Sequence, residues 1–192
     1  AAARAVPAGD RLPPGQTLTK GFPVLDLGIQ PEIPPADWRL RIDGAVANPL
    51  NLTWQEFNAL PQVEDVSDFH CVTTWSKFDC RWGGVAFTTL YELVKPSADA
   101  AFVYFTSYDG YSTNVALEQC LDDDVLVATS FDGGPIPLKH GGRARVIIPK
   151  LSELWKQTIV IDNKGGAGST IGAGLVAAAP ADGYTFLIAS PA

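Results

Sequence analysis

The chain has 192 residues, a formal net charge of −7 and a pI near 4.7. That acidic balance excludes a general phosphate-binding surface, so nucleic acid is not an expected partner, and a bound anion has to be held by a few placed cations or backbone N–H groups. Apolar residues make up 46% and charged residues 18%, a globular composition, and no run reaches the roughly 18 apolar residues of a membrane span.

The 15 prolines and 18 glycines predict short elements, many turns and more strand than helix. Residues 1–20 are rich in Pro, Gly and Ala and read as an irregular arm. Residues 38–44 alternate apolar and polar before Gly44, the pattern of a strand with one exposed face. Thr53 followed by Glu56 predicts a capping box at a helix start, and Leu60-Pro61 ends that helix. Residues 67–75 read as a strand that carries His70 and Cys71, and residues 82–87 as a turn leading into a short helix over 88–94. The β-branched and aromatic run 101–106 predicts a buried strand. Asp109-Gly110-Tyr111 is a turn, the acidic run Asp122-Asp123-Asp124 reads as a solvated helix end, and residues 143–148 form a strand closed by Pro149.

Three cysteines, Cys71, Cys80 and Cys120, are too few and too far apart for a disulfide framework or a zinc site, since the only histidines are His70 and His140. On a strand, His70 and Cys71 point to opposite faces. From the residues alone, Cys71 reads either as a functional thiol or as an inert one.

The string Phe69-His70-Cys71-Val72-Thr73-Thr74-Trp75-Ser76 sits in a longer series. Before it come residues 12–16, 21–25 and 38–40. After it come residues 82–85, 109–113 and 122–126, then His140-Gly141-Gly142 with Arg145 and Pro149. Together these stretches resemble the bacterial branch of the sulfite oxidase molybdenum-binding family over residues 11–149. The resemblance implies an α+β, strand-rich molybdopterin-binding fold and a Mo-molybdopterin cofactor with oxygen-atom transfer at the metal. It makes Cys71 the protein ligand to molybdenum, a role that suits a soft thiolate. It places Tyr111 beside the metal as a catalytic hydrogen-bond donor, and Phe69, His70, Thr73, Trp75, Ser76, His140 and Arg145 around the cofactor. Cys80 and Cys120 match no ligand of the family. The implied partners are a small-molecule substrate and a separate electron-transfer protein. The compartment stays open between bacterial periplasm and cytoplasm.

The character changes after Leu151, where helix, strand, glycine loop, helix and strand follow in an incomplete βαβ-like order. Residues 160–164, 166–173 and 181–187 resemble the solute-binding proteins of tripartite tricarboxylate transporters. The expected organisation is an oxidoreductase domain over 1–150 and a partial solute-binding segment over 151–192. Two alternatives remain: a truncated or chimeric domain without cofactor or activity, and a carboxylate-binding module built on the tail.

Overall fold

A computed structural model describes residues 11–24, 30–71, 73–110 and 112–148. The chain divides into two compact units, residues 1–158 and 159–192, and every described residue lies in the first. The helices and strands expected after residue 151 lie outside the described residues, as does Tyr111.

In chain order the elements are β1 (Thr17–Leu18), β2 (Arg39–Ile42), β3 (Leu50–Thr53), α1 (Trp54–Ala59), β4 (Gln62–Cys71), β5 (Trp75–Ala86) and α2 (Phe87–Val94). Then follow β6 (Phe102–Thr106), β7 (Ser112–Ala116), α3 (Leu117–Cys120), β8 (Leu126–Phe131), β9 (Gly134–Pro135), a 3-10 turn (Leu138–His140) and β10 (Arg145–Ile147). This is an α+β architecture.

The main sheet is organised around β5, the longest strand among the described residues. One side of β5 pairs antiparallel with β4 along nearly its whole length. The other side is shared: β1 runs parallel against residues 75–76, and β8 pairs antiparallel with residues 82–86 and carries β10 and β9. Two ribbons, β2–β3 and β6–β7, stand outside this sheet.

Side-chain alternation distributes the core between the two sheet faces. Cys80, Trp82, Leu126, Ala128 and Ile147 pack on one face with Ile136, Phe22, Phe69 and Phe131. Val85, Val127 and Val146 point the other way, onto Trp38, Phe57 and Leu90. Helix α1 begins as its sequence predicts: Thr53 Oγ1 accepts from the Glu56 N–H, and the Glu56 carboxylate accepts from the Thr53 N–H. Such a cap contributes about 1 kcal/mol. In α2, Phe87, Leu90 and Val94 recur at helical spacing and are the buried residues.

Four expectations change. The single strand expected over residues 67–75 is split, because β4 ends at Cys71, the chain turns, and β5 begins at Trp75. Residues 82–86 are the end of a strand, not a turn. Gly83-Gly84 marks a register shift between β5 and β8, and a Cβ on Gly84 would stand 2.1 Å from the Val127 carbonyl oxygen. The glycine serves close strand approach at a bulge. The run over β6 is not buried on both faces: Val103 and Phe105 face inward while Phe102 and Tyr104 are about 70% and 69% exposed. The arm expected over 1–20 also carries the short strand β1, because its backbone finds free acceptors along β5: Thr17 N–H donates to Thr74 O and Thr19 N–H to Ser76 O.

Candidate functional site

Strands β4 and β5 form a hairpin, and Cys71 is the last residue of β4 at its tip. Register pairs Cys71 with Trp75, Phe69 with Lys77 and His70 with Ser76. Directly paired residues share a face, so the hairpin sorts the expected site residues into two groups. Cys71, Phe69 and Trp75 share one face. His70 and Ser76 occupy the other.

The Cys71 face is aromatic. Phe69 stacks on Trp75 with ring centroids 5.4 Å apart, and Phe22 meets Phe69, Trp75, Trp82, Phe131 and the His140 ring at centroid distances from 5.0 to 6.2 Å. The Arg145 guanidinium lies 5.2 Å from the Phe69 ring and 5.8 Å from Phe22, and one of its nitrogens donates to the His140 carbonyl. Arg145 forms no ion pair with a carboxylate among the described residues. Burial pushes its pKa down, and the nearby Cys71 opposes that because a thiolate favours the cation. Trp75 and Trp82 bury their indole N–H groups with no acceptor among the described residues. His140 is also pushed below its usual value, first by burial and then by Lys139 and Arg145.

The loop that presents His140 and Arg145 depends on two glycines. Gly141 closes the 3-10 turn at φ +85°, and a Cβ on Gly142 would meet the Ile136 carbonyl oxygen at 2.1 Å.

The opposite face is polar and matched. His70 Nδ1 lies 2.8 Å from Ser76 Oγ, and Ser76 Oγ donates to Gln16 Oε1. Beyond them Arg11 forks onto Asp68 and reaches Asp79, while its guanidinium lies 4.4 Å from the Phe78 ring. Burial pushes Asp68 up, but the Arg11 bonds and the Asp79 N–H outweigh it and hold the carboxyl below its usual range. Gln16 and Arg11 have no isolated sequence signal: one polar residue in a Pro-rich arm does not announce a partner more than fifty positions away.

The three thiols differ. Cys80 and Cys120 are fully buried, and burial pushes each up to about 11, the state of an inert core thiol. Cys71 is half-buried, and its Sγ lies 3.2 Å from Thr73 Oγ1. Among the described residues no group of three or more His, Cys, Asp or Glu side chains could hold a metal alone. The arrangement can offer one soft sulfur ligand beside a cation and an indole donor, which suits an anionic group that brings ligands of its own.

The family model of the oxidoreductase molybdopterin binding domain matches residues 27–156. The chain belongs to this family. An uncharacterized oxidoreductase of Bacillus subtilis, YuiH, is 34% identical over 147 residues, covering 76% of this chain and 74% of that protein. The protein-methionine-sulfoxide reductase catalytic subunit MsrP of Campylobacter jejuni is 35% identical over 93 residues, 48% of this chain and 29% of that one. The sulfane dehydrogenase SoxCD from Paracoccus pantotrophus shares the fold at a TM-score of 0.55 and 19% identity, over 62% of this chain and 35% of that one. The chain therefore spans about three quarters of the Bacillus protein but well under half of the other two. It is an oxidoreductase domain with the sulfite-oxidase-type α+β fold. A second model, the tripartite tricarboxylate transporter family receptor, matches residues 143–192 and overlaps the first over residues 143–156. No described helix is long and apolar enough to cross a membrane.

Proposed function

We propose that residues 1–150 form a molybdopterin-dependent oxidoreductase domain in which Cys71 ligates molybdenum. The observation that carries this reading is the pairing of a half-buried thiol at the hairpin tip with Arg145, a desolvated cation that has no carboxylate partner among the described residues. A desolvated cation left so is costly unless an anion completes it. The buried Trp75 N–H is a further unanswered donor on the same face. These residues fit an anionic, sulfur-rich cofactor. Cys71 would supply the sulfur ligand, Arg145 and His140 would hold the anionic part, and Phe69, Trp75 and Thr73 would wall the site. His70 and Ser76 lie on the other face and would act on the cofactor only through the backbone.

When bound, the Mo-molybdopterin group supplies two-electron chemistry with oxygen-atom transfer to or from a small-molecule substrate. The chain's own residues then orient that group, exclude water with the aromatic wall and balance its charge. Tyr111 remains a candidate catalytic donor by its place in the family pattern. A separate electron-transfer protein would exchange electrons with the centre. The test is molybdenum content by mass spectrometry of chain made in a host competent for the cofactor. Wild type is expected to hold stoichiometric metal and Cys71→Ala almost none. A metal-free, well-folded wild type would favour the cofactor-free alternative.

The receptor-model match favours a second reading for residues 151–192, a partial solute-binding segment joined to the domain near 149–151. Citrate is expected to leave the melting temperature unchanged; an upward shift would support the carboxylate-binding alternative.

A further inference from the structure

Gln16 is 55 positions from Cys71, yet it is only 8% exposed and its Nε2 donates to the Cys71 carbonyl at 3.0 Å. A carbonyl only accepts, so this bond fixes which end of the amide is nitrogen and turns Oε1 toward Ser76. Ser76, fully buried, donates its hydroxyl proton to that oxygen at 3.2 Å. Toward His70 Nδ1 at 2.8 Å the same hydroxyl is then an acceptor, so His70 carries hydrogen on Nδ1. The direction of every bond in the relay follows from the first.

The Cys71 carbonyl also receives the Thr74 N–H at 3.1 Å, which closes the hairpin turn. Two donors thus hold the main chain at this residue, one local and one from the arm. The arm is itself fixed at both ends, by the Arg11 fork onto Asp68 and by the rungs of Thr17 and Thr19 on β5.

We propose that Gln16 is a positioning residue for Cys71, anchoring the hairpin tip so that the thiol is presented to the cofactor in one orientation. This rests on the reading of Cys71 as the molybdenum ligand. Gln16 does not touch the sulfur in this scheme; it acts through the carbonyl of the residue that carries it. Groups that orient a metal ligand from behind typically change metal retention by about 10–100-fold when removed.

The test uses the full chain loaded in a host that makes the cofactor. Wild type, Gln16→Leu, Gln16→Glu and Cys71→Ser are compared for molybdenum content, rate of molybdenum loss on dilution, the electron paramagnetic resonance spectrum of the Mo(V) state, and melting temperature. Gln16→Glu keeps an acceptor for Ser76 but sets a carboxylate oxygen against the Cys71 carbonyl, so it also melts below wild type. Both Gln16 variants are expected to lose metal about 10–100-fold faster than wild type and to shift the Mo(V) spectrum, a signature that a purely structural role would not move. If Gln16→Leu does not fold, Gln16→Glu decides. Wild-type retention and spectrum in the folded Gln16 variants, with metal lost from Cys71→Ser, overturns the positioning role and leaves the ligand reading intact. Metal retained by Cys71→Ser with an unaltered spectrum removes the ligand reading, and the Gln16 proposal falls with it.

Discussion

The two faces of the β4–β5 hairpin are built from neighbouring residues and treat their polar groups in opposite ways. On the face of His70 and Ser76, donors meet acceptors: Arg11 with Asp68, Ser76 with Gln16, Gln16 with Cys71. On the face of Cys71, strong donors are left over: Arg145 lacks a carboxylate, and the Trp75 and Trp82 N–H groups lack acceptors among the described residues. A completed network is scaffolding, whereas donors left unanswered beside a half-buried thiol are the groups that the proposed cofactor would meet.

Four substitutions sharpen that contrast. Trp82→Ala has the largest expected effect, because Trp82 is 2% exposed and joins the ligand-side wall to the core; unfolding by urea should report a loss of about 3–5 kcal/mol. Arg11→Ala breaks the matched face and should cost about 1–3 kcal/mol at pH 7. Its penalty depends on pH. The folded Asp68 pKa is below its ordinary value of 3.8, so the pair contributes fully above that value and loses its contribution as pH falls through the folded pKa. Melting curves of wild type and variant should converge in strong acid.

Arg145→Leu tests the other face. Without cofactor it should melt at or above the wild-type temperature, since a desolvated cation is removed, while molybdenum loading falls; a large drop in apo stability would contradict the reserved-site reading. The smallest effect belongs to His140, whose pKa is lowered by burial and then by Lys139 and Arg145. Above its ordinary value of 6.5 it is neutral in both states; below it the unfolded chain takes the proton first and stability falls. His140→Gln should lose a few tenths of a kcal/mol less than wild type between pH 7 and pH 5 by calorimetry.

Local chemistry was readable where it is self-contained. The Thr53–Glu56 box needs only four consecutive residues, and both reciprocal bonds form. The excess of strand followed from the prolines and glycines, and the α+β class from the family resemblance. Gly83-Gly84 misled because glycine serves turns and close strand contacts alike, and only the partner strand β8 distinguishes them. The aromatic run of β6 misled because residue types do not reveal that a two-stranded ribbon leaves Phe102 and Tyr104 outside. At the site, the motif marked Cys71, Trp75 and Arg145 as important without separating them from His70 and Ser76. That separation comes from the strand register at the hairpin tip. Gln16 was out of reach because its role exists only across the β1–β5 pairing.

Strand β1 covers a length of β5 that β8 does not reach. A chain cut back to begin at Lys20 would uncover the Thr74 and Ser76 carbonyls beside the cysteine and leave them to any extended peptide, including another copy. The short arm strand is therefore also a guard against self-association, and shortened versions of the domain should lose solubility before they lose secondary structure.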